Sequence, residues 1–134
     1  MLNSVALKDY MSRDPVRLRA SDSVFHAIQE IMSQRVSGAC VVDDNDQLLG
    51  IMSEIDCLKA ILNAVYNNTP VGIVEEYMTK EAITCTLHDN IVDVAADMLK
   101  LKHRRRPVLD DNGKLIGQVT CRQLLGAVKE FAES

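Results

Sequence analysis

The chain has 134 residues, a length that fits one compact domain burying roughly two-thirds of its unfolded surface. Its 15 Lys and Arg against 19 Asp and Glu give a net charge of −4, which argues against a general nucleic-acid binder. No apolar run approaches the roughly 18 residues of a membrane span, and residues 1–9 lack the basic stretch and long apolar core of a secretory signal. The cysteines Cys40, Cys57, Cys85 and Cys121 form no C-x-x-C pair and read as thiols of a reducing cytoplasm.

Taken in order, segment 4–11 reads as a short amphipathic helix. Pro15 to Arg19 alternates apolar and charged residues, the pattern of a half-exposed strand. Ser21-Asp22 offers acceptors for a helix start. The helix carries Val24, Ala27, Ile28, Ile31 and Met32 as one core-facing stripe, and Val36-Ser37-Gly38 ends it with a glycine for a left-handed exit. Ala39 to Val42 and Leu48 to Met52 are short apolar strands joined by a polar hairpin turn. Ser53 opens a second helix whose Ile55, Leu58, Leu62 and Val65 are expected to face inward. Asn67 to Pro70 breaks the pattern, and 71–78 again reads as a short amphipathic helix. Ala82 to Thr86 is a strand, and His88-Asp89 is expected to cap a helix running to about Lys102. Arg106 to Leu109 and Leu115 to Val119 form a second hairpin, with Asn112-Gly113 as its turn, and Thr120 opens the last helix.

The chain is thus a tandem repeat. Residues 10–61 and 77–128 align without a gap at an offset of 67: Tyr10-Met11 on Tyr77-Met78, Asp22 on Asp89, Asp43-Asp44-Asn45 on Asp110-Asp111-Asn112, Gly50 on Gly117. Two copies of a unit too short to fold alone should pack together and leave a pseudo-symmetric cleft between them.

The strand, Asp-Asp-Asn turn, Leu-Leu-Gly-Ile-Met strand and Ser53-Glu54-Ile55-Asp56 together resemble a cystathionine-β-synthase (CBS) motif, and the resemblance covers nearly the whole chain. It implies an α/β (α+β) fold of two pseudo-symmetric β-α-β-β-α motifs, 1–68 and 69–134, packed sheet to sheet as one Bateman module. It also implies a regulatory module that binds AMP, ATP or a related adenosyl ligand such as NAD or S-adenosylmethionine in the cleft, forms a homodimer through helical faces, and acts on a protein partner or on its own dimer.

Carried over by position, the resemblance makes Asp56 the ribose-binding carboxylate, since one carboxylate can accept from both sugar hydroxyls. Ser53 supports ribose or phosphate. The plain reading of the pair is a helix cap with an acidic first turn. In the second copy Thr120 keeps the hydroxyl, but Gln123 replaces the aspartate, so one good site is expected, not two. His103-Arg104-Arg105-Arg106 precedes the Pro107-Val108 strand; by the same matching Arg104 and Arg105 face the phosphates of the nucleotide held by Asp56, and Arg122 is placed to reach them. The alternative is a solvated basic edge or a contact for an acidic partner. Val16, Gly38, Ala39 and Ile83 take the adenine positions by resemblance alone, and for each of them taken singly ordinary core packing is the better account.

Cys85 and His88 have a metal-like spacing but no partner pair, and Asp43 to Asp46 lacks the glycine of a calcium loop. No glycine-rich phosphate loop or nucleophile elbow is present, so neither a metal nor catalysis is expected. Two other readings stand beside the nucleotide sensor: a structural adaptor without ligand, supported by Gln123 and by Cys40 where the family favours proline, and nucleic-acid binding through residues 103–106.

Overall fold

The computed structural model describes residues 6–133, so the start of the 4–11 segment and most of the stretch read for a secretory signal lie outside the described residues. The fold is mixed α+β. In chain order the elements are β1 (Arg17–Leu18), α1 (Val24–Gln34), β2 (Gly38–Val42), β3 (Leu48–Ser53) and α2 (Glu54–Asn67), then β4 (Cys85–Thr86), α3 (Ile91–Leu101), β5 (Arg105–Leu109), β6 (Leu115–Thr120) and α4 (Cys121–Glu133). They build two three-stranded sheets, β1-β2-β3 and β4-β5-β6. In each sheet the first strand is parallel to the middle one, and the hairpin partner is antiparallel to it. The parallel pair needs a crossover, and α1 and α3 supply it.

The repeat is reproduced in detail. Each hairpin carries a register shift at the same place, Val41/Val42 and Val108/Leu109. The turns place Asp46 at φ 63° and Gly113 at φ 82°, so an aspartate adopts in the first copy the left-handed conformation that glycine takes freely in the second.

Helix ends differ from the sequence reading by one to three residues. Ser23, not Ser21-Asp22, caps α1 by accepting from the His26 amide, while the Asp22 carboxylate accepts from the Arg19 amide at 2.8 Å. The left-handed exit falls on Arg35 at φ 55° rather than on Gly38, which is already the first residue of β2. Asn90, not His88-Asp89, caps α3 through the Val92 amide at 2.7 Å, and Lys102 takes the left-handed exit.

Two compact units result, one spanning Val16–Ala82 and the other joining the chain up to Pro15 with the chain from Ile83 onward. They are bounded differently from the sequence halves 1–68 and 69–134. The lead-in to each repeat completes the other repeat's unit. Leu7 is fully buried in the core of Cys85, Val94, Met98, Val108 and Val119, and Val74 is fully buried in that of Leu18, Val24, Ile31, Val41 and Met52. The two predicted lead-in helices are only single 3-10 turns, Leu7–Asp9 and Val74–Glu76. Beyond each turn the chain runs along a hairpin strand. Thr79 exchanges both backbone bonds with Ile51 at 2.8 and 2.9 Å, and Ser12 does the same with Gln118 at 2.8 and 2.9 Å. These pairings bring a backbone carbonyl over Gly50 and Gly117, where an added Cβ would lie 2.5 Å from the oxygens of Thr79 and Ser12. Glycine is required there by close approach.

The faces of the helices correct the predicted pattern in two places. In α1, Val24, Ala27 and Ile31 are buried as expected, but Met32 is exposed. In α2 the stripe Ile55, Leu58, Leu62 and Val65 faces solvent, at 51–71 % exposure, and the buried face is Asp56, Cys57, Ala60 and Ala64. Small residues let α2 lie close against its unit, so the larger apolar residues are turned outward.

Candidate functional site

Within the Val16–Ala82 unit, the end of β3 and the start of α2 form one tight corner. The Ser53 hydroxyl accepts from the Asp56 amide at 3.1 Å, and the Asp56 carboxylate Oδ2 accepts from the Ser53 amide at 2.9 Å. This reciprocal cap satisfies two amides that the first helical turn leaves without partners. It uses only one carboxylate oxygen. Asp56 is 7 % exposed, and no hydrogen-bond partner falls on its Oδ1 among the described residues. A carboxylate with a spare oxygen at a helix start is a strong acceptor for a ligand hydroxyl. Burial, with Asp56 and Glu54 after it, raises the pKa of the neighbouring Cys57 thiol and keeps it protonated.

Gly38 sits opposite Ser53 in the β2–β3 ladder, and Ala39 opposite Met52. Ala39 is packed in the helix-facing core with Leu18 and Val41, and Val16 packs partly buried against the same cluster. Their side chains therefore have structural duty whatever else they do. Val16 also fixes the sheet by accepting from the Cys40 amide at 3.0 Å.

The other unit builds the same corner with different chemistry. Gln123 Oε1 accepts from the Thr120 amide at 2.9 Å and the Thr120 hydroxyl accepts from the Gln123 amide at 3.2 Å. The remaining group of Gln123 is an NH2 donor where Asp56 keeps an anionic acceptor. The basic residues gather at this corner. Arg105 pairs with Thr120 across β5–β6, the Arg104 carbonyl accepts from the Cys121 amide at 3.0 Å, and Arg122 follows in the first turn of α4. Ile83, in the lead to β4, is 43 % exposed.

The run His103 to Arg106 is not one basic surface. Strand alternation sends Arg105 and Arg106 to opposite sheet faces. Arg106 is only 4 % exposed, with its NH1 on the Asp97 carboxylate at 2.7 Å, its NH2 against His103 Nδ1 at 3.4 Å, and a buried Nε that has no partner among the described residues. Sequence reasoning had no signal for this burial, because the equivalent position of the first repeat is the small core residue Ala39. A shallow groove of about 470 Å³ lies between α3 and α4, with Met98, Leu99, Leu124 and Leu125 along it and Lys102 and Arg104 at its edge.

The residues set aside in the sequence are structurally employed. Asp43 Oδ1 accepts from the amides of Asn45 and Gln47 at 2.8 and 2.9 Å, Asp44 pairs with Arg19, and Asp46 pairs with Arg17. Cys85 is buried and donates to the Pro107 carbonyl; burial and then Asp89, opposed by Arg106, push its pKa up to about 12.

Two copies of a β-α-β-β-α unit, each ending in a hydroxyl-carbonyl helix cap, define a tandem-repeat module. The family model of the CBS domain matches residues 7–63 and 74–130. The chain belongs to the CBS-domain family and is a tandem CBS pair. Among solved structures it is similar to CBSX2 of Arabidopsis thaliana in complex with AMP, at 29 % identity and a TM-score of 0.86 over 96 % of this chain and 99 % of that one. It is also similar to the CBS pair of protein MJ0100 in complex with 5′-methylthioadenosine and S-adenosyl-L-methionine, at 26 % identity and a TM-score of 0.80 over 92 % and 98 %. The protein MJ1225 of Methanocaldococcus jannaschii is 28 % identical over 85 % of this chain, which spans only 39 % of that relative's length. No helix among the described residues is long and apolar enough to cross a membrane.

Proposed function

We propose that this CBS pair is an adenine-nucleotide-binding regulatory module and not an enzyme. Asp56 and Ser53 hold the ribose, and Arg104, Arg105 and Arg122 neutralise the phosphates, with Thr120 beside them. Val16, Gly38, Ala39 and Ile83 contribute to the adenine slot, largely through backbone in the case of Ala39. The single observation that carries this reading is that Asp56, a largely buried residue at a helix start, keeps one carboxylate oxygen without a hydrogen-bond partner among the described residues. The AMP and S-adenosyl-L-methionine complexes of similar pairs support the ligand class. Ligand binding shifts the population of conformations, and a protein partner or a second copy reads the shift.

A homodimer is part of the proposal. Outward apolar residues on every helix, among them Phe25, Leu58, Val65, Leu99 and Leu125, support a second copy as their cover. Free cysteines, three of them buried, fit a reducing cytoplasm. The burial of Arg106 takes one cation out of the 103–106 cluster and weakens the nucleic-acid reading.

The test is calorimetric titration with AMP, ATP, NAD and S-adenosylmethionine, on the parent and on Asp56→Asn. Asparagine can keep the bond to the Ser53 amide while losing the charged acceptor. Binding should weaken by about 2 kcal/mol, on the order of thirtyfold, with little change in Tm. Equal affinity in the two proteins would reject Asp56 as the ribose ligand, and no binding of any of the four would leave the adaptor reading.

A further inference from the structure

Arg106 is unexplained by phosphate binding, by core packing or by surface solvation. It occupies a helix-facing core position of β5, where the first repeat places Ala39. A guanidinium buried this deeply is held only if it is paired and hydrogen-bonded. Here the pairing is incomplete: one carboxylate, Asp97 of α3, at 2.7 Å, one imidazole nitrogen at 3.4 Å, and an Nε with nothing.

The imidazole contact has a defined direction. Arginine has five donors and no acceptor, so His103 Nδ1 must present its lone pair to Arg106, and the neutral ring carries its proton on Nε2. A second proton would set N–H against N–H between two cations. Among the described residues no other base is placed to relieve that. Lys102 and Arg104 flank His103 in the chain and share the α3–α4 groove with it. From α4, Cys121 donates to the His103 carbonyl at 3.4 Å and Arg122 comes next. From β4, Cys85 stays a neutral thiol, with Asp89 as its nearest acidic influence. From β6, the residue paired with Arg106 is the apolar Val119. Asp97 is the one carboxylate in contact with the cluster among the described residues.

We propose that Asp97, His103 and Arg106 form a proton-sensitive latch that positions Arg104 and Arg105. The proposal rests on the reading of those two arginines as the phosphate-holding pair. Neutral His103 completes the coordination of Arg106 and fixes the segment between α3 and β5. Protonated His103 withdraws from Arg106 and loosens the segment that carries Arg104 and leads into Arg105. Nucleotide affinity then falls on acidification. This sign is diagnostic, because an added positive charge beside phosphate would by itself strengthen binding.

The test compares wild type with His103→Asn, whose side-chain oxygen can replace the Nδ1 acceptor but cannot gain a proton. ATP is titrated by calorimetry at pH 7.5 and pH 5.5, and the variant subtracts the titration of the phosphates themselves. The affinities should agree at pH 7.5, and at pH 5.5 the wild type should be at least threefold weaker than the variant. An unchanged ratio, or a tighter wild type at pH 5.5, overturns the latch. A second arm needs no ligand: thermal unfolding of the two proteins should agree at pH 7.5 and separate at pH 5.5, with the wild type lower. If Arg104→Ala and Arg105→Ala bind ATP like the parent, the phosphate reading fails, and the latch is judged on this arm alone. The third readout is wild type only. Nitrogen NMR shifts of the His103 ring at pH 7.5 should show Nε2–H with Nδ1 unprotonated, and the opposite tautomer overturns the proposal.

Discussion

Gln123 stands where Asp56 does and closes its helix cap in the same way, each side chain returning one oxygen to a backbone amide at 2.9 Å. The caps are alike as structure and opposite as chemistry. What is left over is an anionic acceptor at Asp56 and a neutral donor at Gln123. The fold therefore tolerates either residue, and the difference between the two copies falls on what the corner can bind.

The first prediction follows directly. Gln123→Asp should fold normally, since aspartate makes the same cap in the first repeat, and should add a ribose-binding carboxylate to the second. Calorimetric stoichiometry for AMP should rise from about one to about two per chain. An unchanged stoichiometry would show that Gln123 is not what disables the second corner.

Glycine substitutions should split by location. Gly50→Ala places a Cβ 2.5 Å from the Thr79 carbonyl oxygen, and overpacking of this kind costs about 1–3 kcal/mol. Gly117→Ala should behave alike against Ser12. Gly126, exposed on α4, has open space where a Cβ would lie, with nothing within 4 Å, so Gly126→Ala should stabilise by up to about 1 kcal/mol. Urea unfolding of the three variants checks the signs. A neutral Gly50→Ala would mean the Thr79 segment does not hold its place along β3.

The Arg106–Asp97 pair predicts asymmetric losses. Asp97→Ala strands a buried guanidinium, and because Asp97 is itself half-exposed the cost should be about 2–3 kcal/mol, between that of surface and fully buried pairs. Adding Arg106→Met should recover most of that loss by replacing the stranded charge with an apolar chain. Stability of Asp97→Ala equal to wild type in urea unfolding would rule out a buried, charge-dependent Arg106.

The thiols should react in a fixed order. Cys121 is exposed, whereas Cys40, Cys57 and Cys85 are buried. Native protein at pH 8 should take up one equivalent of a maleimide by mass spectrometry, and urea-unfolded protein four. The Cys85 pKa is raised from 9.0 to about 12 in the fold, so folding favours its protonated form. Its contribution is intact below the unfolded value and is lost as pH rises through the window between the two. Stability should fall from about pH 9 upward, and Cys85→Ala should flatten that fall. Rapid native labelling of Cys85 would contradict its burial.

Much of this molecule was legible as periodicity. The offset of 67 residues, the Asp-Asp-Asn turns and the alternating strands are local patterns, and local hydrogen bonding obeys them. Which side of α2 is covered was not legible. Ile55, Leu58, Leu62 and Val65 form a regular apolar stripe, yet Ala60 and Ala64 make the closer packing surface, because what a face meets depends on the distance to its neighbour and not on its own hydropathy. Arg106 misled for the same reason: a run of four basic residues reads as a surface until strand alternation and Asp97 are known.

By itself, then, the sequence determined a duplicated β-α-β-β-α unit of the CBS type, the residues of its two helix caps, and the loss of one carboxylate between them, since each of these is written in residue type and spacing. The tertiary structure alone decided that each lead-in segment completes the other repeat's unit, that Asp56 keeps one oxygen free after capping its helix, and that Arg106 is buried against Asp97 and His103. Those are contacts between residues far apart in the chain or on opposite faces of a sheet, and no one-dimensional pattern carries the distances that make them.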